Sequence, residues 1–253
     1  MNSYMQKISC LSGFFIISLG LALFFSCTKE SNSPTFETGT VTDIDNNVYK
    51  TVKIGNQWWM AENLKVRRYN NGDSIANIGN KLNADTWANT SNGTLYVGTL
   101  GVLYNGYVIN DVRGIAPSGW HIPDDDEWKE LEMYLGMSKD EADKVNWRGT
   151  TEGNMLKIQG AGPTVWTTPS DVYSVWGTNE SGFSAFGCGC VLFNGTLGSP
   201  GANYTGFWWT SSELANEAWY RYLDYNKPNV FRFYGPKTYG FSVRCVKDNI
   251  ITK

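Results

Sequence analysis

The chain has 253 residues, of which 42% are hydrophobic and 18% charged, so it can bury a substantial core and is not of the disordered class. Its formal net charge of -3 argues against a basic face, and therefore against nucleic acid as a partner. Aromatic residues make up 15% of the chain and glycine contributes 27 residues, which favours many short strands and tight turns over helices.

The N-terminal segment, residues 1–26, has the order of a secretory signal. Lys7 gives a positive start, residues 8–25 carry no charge, and the small Ser26 stands before Cys27 and a polar stretch. The cysteine at this break resembles the lipobox of bacterial lipoproteins, in which the thiol is acylated and becomes the new N-terminus. The two bulky residues before Ser26 depart from the usual lipobox. An uncleaved membrane helix and plain secretion are the alternatives.

We therefore predict a signal peptide over residues 1–26 and a lipidated N-terminus with a polar tether over residues 27–38. Residues 39–248 then form one domain, because no linker rich in proline or serine interrupts them, and residues 249–253 form a tail. The predicted localisation is the cell envelope. The protein would be anchored there by palmitate on Cys27, in the outer membrane, facing the periplasm or the outside.

Alternating sequence predicts the first strands. Residues 40–44 and 48–54 flank a turn at residues 45–47, which predicts a β-hairpin, and residues 58–64 predict a third strand. Asp43, Asp45 and Asn47 have the alternating oxygens of a calcium loop. The glycine and the closing glutamate of that motif are absent, so we interpret them as turn residues.

A loop-rich region and one clear helix follow. Residues 69–92 predict irregular surface loop, and residues 95–109 predict buried strand and turn. After Pro123, Asp124 and Glu127 form a capping box, and Gly136 ends the helix. Its apolar face would consist of Trp128, Leu131 and Leu135. Because acidic residues are expected in a first helical turn, residues 124–127 are not interpreted as a metal site.

A second capping pattern, starting at Ser138, predicts another short helix. The remaining chain returns to strands broken by glycine: residues 182–186, 206–212, 218–225, 230–234 and 240–246. The predicted fold class is α+β, with short strands and one or two helices.

Several ordered motifs resemble those of the Fibrobacter succinogenes major paralogous domain family. They are GWHIP (119–123) with EW (127–128), GFSA (182–185), WWTSS (208–212) and GFSVRCV (240–246), and residues 48–64 fit the opening of that domain. The resemblance covers residues 40–247. It implies a C-type-lectin-like mixed fold, shared with formylglycine-generating enzymes, whose first and last strands pair around a long loop-rich excursion. Members of the family are mostly envelope-associated.

The sequence holds few residues suited to catalysis. His121 is the only histidine, which removes most acid–base and zinc mechanisms, and we interpret it as structural. Neither a Gly-x-Ser-x-Gly elbow nor a phosphate-binding glycine loop is present. Glu62, Asp126 and Glu213 could supply a carboxylate pair for glycoside hydrolysis, but sequence fixes no distance between them.

Three cysteines remain once the predicted signal and lipid site are set aside. A Cys-x-Cys pair bridged to itself would be badly strained, so we predict a disulfide between Cys190 and Cys245, with Cys188 as the alternative partner. Cys188 and Cys190 also suggest an oxidase of the formylglycine-generating type, which uses two reactive cysteines. The cysteines of those enzymes are more widely spaced.

Metal-dependent sugar binding of the lectin type is not expected. Lys227, Pro228 and Asn229 keep part of one lectin calcium motif, but a lysine replaces the acidic residue. No metal or cofactor is therefore predicted.

Two pairs of adjacent tryptophans remain, at residues 58–59 and 208–209. Neighbouring side chains of a strand face opposite sides. We therefore predict Trp59 and Trp209 as exposed ligand contacts, with burial of both members of each pair as the alternative.

The sequence as a whole predicts a lipid-anchored envelope protein whose lectin-like domain binds an extracellular glycan or protein and is not an enzyme. A structural component of a surface layer or fimbria is the first alternative. The formylglycine-type oxidase is the second. The membrane, reached through the lipid, and the extracellular ligand are the expected partners.

Overall fold

A computed structural model describes residues 35–77, 87, 93–98, 101–159, 166, 177–198 and 203–249. All of them fall in the compact unit Pro34–Lys253. The predicted signal segment and the predicted lipidation site Cys27 lie outside the described residues, as does most of the predicted loop 69–92. Over the described ranges, no helix combines the length and the apolar character needed to cross a membrane.

Strands make up most of the regular structure, so the predicted α+β class is confirmed, with β the larger share. The strands are β1 Thr38–Thr42, β2 Val48–Ile54, β3 Gln57–Met60, β4 Ala76–Asn77, β5 Thr94–Gly98, β6 Gly101–Asn105, β7 Trp120–His121, β8 Asn146–Arg148, β9 Thr205–Leu214, β10 Glu217–Asp224, β11 Val230–Pro236, β12 Gly240–Phe241 and β13 Val246–Lys247. The helices are α1 Gly106–Ile109, α2 Asp125–Tyr134, α3 Lys139–Ala142 and α4 Glu152–Leu156.

The N-terminal hairpin is confirmed as β1 and β2, which pair antiparallel with Thr40 opposite Lys50. These strands belong to a sheet of order β1-β2-β3-β13-β7. The last strand, β13, pairs with β3 and β7, whereas β1 lies at the edge of the sheet beside β2. The implied pairing of the first and last strands is therefore wrong in detail, although both strands share one sheet.

Two further sheets have the orders β8-β11-β10-β9 and β12-β6-β5-β4. They confirm the strands predicted over 206–212, 218–225 and 230–234, and they add the short helix α1 to the stretch predicted over 95–109. The strand predicted over 182–186 is wrong. Gly182 and Ser184 have φ values of +72° and +55°, which break the extended backbone, and Ala185 makes only a single bridge to Lys157.

Helix α2 begins as the sequence predicts. The Asp124 carboxylate accepts a hydrogen bond from the Glu127 N–H at 2.8 Å, and the Glu127 carboxylate accepts one from the Asp124 N–H at 2.9 Å, which completes the capping box. Gly136 follows the helix with a φ of +115°, a conformation that favours glycine. The predicted second helix is confirmed as α3, where the Ser138 hydroxyl accepts from the Glu141 N–H.

Two hydrophobic cores lie on opposite sides of three buried strands. The first core includes Met60, Trp209 and Cys245, and the second includes Trp59, Trp208 and Val246. Each adjacent pair in β3, β9 and the β13 region therefore divides between the two cores, because side chains alternate along a strand. At these positions the strands are covered on both faces.

A network of buried charges joins helix α2 to the sheet that contains β8, β10 and β11. The Glu132 carboxylate accepts hydrogen bonds from Arg148 at 2.7 Å and from Arg221 at 2.8 Å. Asp125 accepts from Arg221 and from Arg232, each at 2.7 Å. Burial acts to raise the pKa of Asp125, but the hydrogen bonds and charges of the two arginines outweigh it and hold the pKa below its usual range.

Candidate ligand-binding site

The four-stranded sheet β8-β11-β10-β9 carries a row of aromatic side chains on one face. Its register places Tyr222 opposite Phe207 and Phe231, and Phe231 opposite Trp147, and directly opposed residues project to the same face. Tyr220 pairs with Phe233, two residues from Tyr222 and Phe231 along their strands, and so projects to the same face. We call this set the aromatic face; it consists of Trp147, Phe207, Tyr220, Tyr222, Phe231 and Phe233, all of them partly exposed.

The rings of the aromatic face form a continuous surface. Phe207 and Tyr222 stack with centroids 4.4 Å apart and planes 7° from parallel. Trp147 contacts Tyr222 and Phe231, with both centroid distances at 5.2 Å, and Phe231 continues to Phe233 at 6.0 Å. The side chains thus hold one another in place while each residue stays partly exposed, as a surface that stacks on a flat ligand requires.

Polar groups border the rings. The Tyr222 hydroxyl donates a hydrogen bond to the Asp224 carboxylate, and burial together with this bond raises the pKa of Tyr222 above its usual range. Burial raises the pKa of Tyr220 to about 12, so this hydroxyl stays a neutral donor and acceptor near pH 7. The Lys227 ammonium lies 6.0 Å from the Trp147 centroid. Hydrogen-bonding groups are therefore available beside an apolar surface.

The opposite face of the same strands is charged and buried. Arg221 and Arg232 lie between the aromatic residues along the chain and point into the ionic network, and each is less than 10% exposed. Charged side chains point into the ionic network on one side of the sheet. The aromatic side chains lie on the other side, where Phe207 and Tyr220 also pack against Phe241 of the first core, with centroid distances of 4.9 Å and 5.0 Å. The alternation of aromatic and arginine residues over 220–222 and 231–233 signals two faces. Polar residues are normally assigned to the outside of a sheet, so this alternation by itself favours the opposite orientation.

The predicted ligand contacts Trp59 and Trp209 are wrong, because both indoles are fully buried at 0% exposure. Trp59 packs against Trp128 with centroids 5.0 Å apart in the second core. Trp209 packs against Phe241 at 4.3 Å in the first core, and its N–H donates to the Tyr104 carbonyl at 2.9 Å. At these two positions the strands pack against a hydrophobic core, so neither indole reaches solvent.

The predicted disulfide is absent: Cys190 and Cys245 are buried free thiols, so Cys188 does not replace Cys190 as the partner of Cys245 either. Both free thiols fill space in the first core as small apolar side chains. The Cys188 sulfur accepts a hydrogen bond from the Asn63 amide at 3.2 Å. Burial raises the pKa of Cys188, and raises that of Cys190 to about 11, which disfavours the reactive thiolate.

The single histidine is held between two carboxylates. His121 Nε2 lies 2.8 Å from Glu127 Oε1, and Nδ1 lies 2.6 Å from Asp248 Oδ1. The hydrogen bond with Glu127 raises the pKa of His121 most; burial opposes it, Asp248 adds to it, and the result is about 9. An imidazolium with both nitrogens engaged links the start of α2 to the residues after β13, so its position suits a structural contact.

The three carboxylates considered for hydrolysis are held by different partners. Glu62 accepts a hydrogen bond from the Lys50 N–H, Asp126 pairs with Lys129, and Glu213 pairs with Lys237. They lie after β3, in α2 and at the end of β9. The structure does not bring them to a common partner.

The features that suggested calcium have other roles. Asp43 Oδ1 accepts from the N–H groups of Asp45 and Asn47, each at 2.9 Å, and Oδ2 accepts from the Tyr49 hydroxyl at 2.5 Å. These bonds make it the centre of a turn, as the sequence predicts. The Pro228 carbonyl accepts from the Asn154 N–H. Across the described residues, no group of three or more acidic, histidine or cysteine side chains is arranged to hold a metal ion.

Comparison with known proteins gives one family. A family model, the Fibrobacter succinogenes major domain, matches residues 52–247, which is more than half of the chain. The match runs from within β2 to the end of β13, and so includes the aromatic face and most of both cores. No curated protein and no solved structure matches the chain.

Proposed function

The chain belongs to the Fibrobacter succinogenes major domain family, as its motifs indicate, and on this premise we propose that it is a non-enzymatic, glycan-binding protein of the cell envelope. The aromatic face carries the proposal. Six partly exposed rings lie side by side on one sheet, where a soluble domain would normally present polar side chains.

A glycan suits this surface better than a protein. The apolar face of a pyranose ring stacks on a flat aromatic ring, and its hydroxyls need hydrogen-bonding groups such as Asp224 and the Tyr220 hydroxyl at the border. The rings are only partly exposed and are supported by one another, so the surface is rigid before a ligand arrives. A protein partner would instead call for deep, fully desolvated anchor pockets.

Removal of exposed rings should abolish binding with little loss of stability. We expect the full chain in detergent to bind a subset of glycans on an array, and Trp147→Ala and Phe233→Ala each to weaken that binding at least about tenfold, the loss of one well-placed stacking contact. Isothermal titration with the best glycan measures the change. Chelation by EDTA should leave binding unchanged, because the proposed contacts use aromatic rings and hydrogen bonds and no metal ion.

The matched control is Tyr134→Ala, which removes an exposed aromatic side chain from α2, away from the aromatic face. Its glycan affinity should equal that of the wild type. Equal affinity in Trp147→Ala and Phe233→Ala would contradict the proposal, as would binding that disappears with EDTA.

We propose that Cys27 carries the lipid that holds this domain at the membrane. The order of apolar run, small residue, cysteine and polar tether supports it. One acyl chain gives only weak, reversible anchoring, so several are required for stable retention. Labelled palmitate should enter the wild-type chain and not Cys27→Ser; equal labelling of the two would refute the anchor.

The finer fold assignment that we propose is C-type-lectin-like. The terminal strand β13 joins β3 in the N-terminal sheet, and the intervening chain supplies α2 and the sheet that bears the aromatic face. This arrangement of joined ends around a long excursion supports the proposal. Superposition of an experimental structure on C-type lectin domains tests the assignment. A strand order in the N-terminal sheet that differs from the order in those domains would reject it.

A further inference from the structure

Arg244 is a buried cation without a carboxylate partner in the described part of the chain. It is 1% exposed, and its Nε donates to the Asn63 side-chain oxygen at 2.7 Å. Its other hydrogen bonds go to the neutral carbonyl oxygens of Met60, Phe183 and Ser184. Burial lowers the pKa of this guanidinium to about 9. The other buried arginines differ, since Arg148, Arg221 and Arg232 each contact a carboxylate.

Arg244 lines a cleft of about 390 Å³, which we call the basic cleft. Lys50 and Lys65 are exposed at its wall, and neither forms an ion pair among the residues the structure describes. Glu62 is the single carboxylate of the lining. Three positive charges thus face one negative charge, and the cleft attracts an anion.

The donors and the wall together select the kind of anion. A guanidinium has five N–H groups, and the four hydrogen bonds described above leave one on Nη2 for a ligand. One such donor and the lysine ammonium groups suit the two oxygens of a carboxylate. Phe186 and Ile158 add an apolar wall, which a bare inorganic ion would leave exposed to water.

We propose that the basic cleft binds a small organic carboxylate, with its oxygens on Arg244, Lys50 and Lys65 and its apolar part against Phe186. The cleft shares no residue with the aromatic face, so this ligand is separate from the glycan proposed above. The charge of the ligand would add to that of Glu62 in offsetting the buried charge of Arg244, which has no carboxylate within ion-pair distance among the described residues.

Titration calorimetry of the full chain in detergent tests this with benzoate, benzamide and inorganic phosphate. Benzoate should bind at least about tenfold more tightly than the uncharged, equally shaped benzamide and than phosphate. The double variant Lys50→Ala/Lys65→Ala changes only exposed side chains, so we expect it to fold as the wild type does by circular dichroism. It should weaken benzoate binding at least about tenfold. Lys53→Ala is the matched control. Lys53 lies on β2, as Lys50 does, but it pairs with Glu37 and is outside the cleft.

Unchanged benzoate affinity in the double variant would overturn the proposal, because the anion would then bind elsewhere. Equal affinity for benzoate and benzamide would show that the cleft recognises only the apolar ring and not the charge, which contradicts the proposal. Equal affinity for benzoate and phosphate would show a general anion site instead of a carboxylate site. If benzoate did not bind at all, the proposal would be wrong. Arg244→Lys, if folded by circular dichroism, should weaken benzoate as well.

Discussion

Glu132→Gln should lower the free energy of unfolding by about 3–5 kcal/mol, the usual cost of leaving a buried charge without its partner. Glu132 is 0% exposed and binds Arg148 and Arg221 through separate carboxylate oxygens. Glutamine keeps the shape of the side chain but removes the charge, and its amide NH₂ cannot accept a hydrogen bond from an arginine. Two guanidinium groups would then be left buried with too little negative charge around them. Chemical denaturation of the full chain in detergent measures the change.

Glu130→Gln is the matched control for this substitution. Glu130 lies two residues away on α2 but is exposed, and it accepts a weak hydrogen bond from Gln57 at 3.4 Å. Its stability should stay within about 0.5 kcal/mol of the wild type, as for most surface substitutions. If Glu132→Gln changed stability no more than this control, the ionic network would have no part in holding α2 to the sheet.

Trp59→Ala should also cost about 3–5 kcal/mol, because the indole is fully buried and its removal leaves a large cavity. The ring contacts Trp128 at 5.0 Å and Phe183 at 5.7 Å, so the cavity opens between β3 and α2. Its N–H donates to the Gln57 side chain at 3.0 Å, and that acceptor would also lose its partner. The loss should be visible as a lower denaturation midpoint with the slope of the transition unchanged.

The neighbouring Trp58 provides the comparison. It is partly exposed on the same strand, and its ring lies 6.0 Å from the Lys247 ammonium. Trp58→Ala should therefore cost clearly less than Trp59→Ala. The reverse order would restore Trp59 as the exposed member of the pair and would place Trp58 in the core. Equal costs would mean that the two sides of β3 are equally covered.

Features of the sequence whose causes lie within a few residues were predicted correctly. The capping box of Asp124 and Glu127, the glycine that ends α2 and the Ser138 cap each depend on hydrogen bonds spanning three or four residues. The N-terminal hairpin depends on alternation around a short turn. The order of motifs along the chain was enough to predict the family, which the family model confirms.

The prediction from local sequence pattern was wrong where the backbone does not have the extended geometry of a strand. Residues 182–186 have the composition of a strand, but positive φ values at Gly182 and Ser184 turn the chain. The carbonyl groups of Phe183 and Ser184 accept hydrogen bonds from Arg244. The segment therefore supplies acceptors to a buried cation 60 residues further along the chain. A contact over that distance along the chain leaves no mark in the local pattern.

The sequence by itself determined that neighbouring residues in β3, β9 and β10 face opposite sides, because alternation is a property of the extended backbone. Only the tertiary structure decided which side is buried, since that depends on what packs there. Two cores enclose β9, so Trp209 is inside; the carboxylates of α2 lie under β10, so Arg221 turns inward and leaves Tyr222 outside. The aromatic face therefore follows from packing between distant segments, which composition and periodicity do not record.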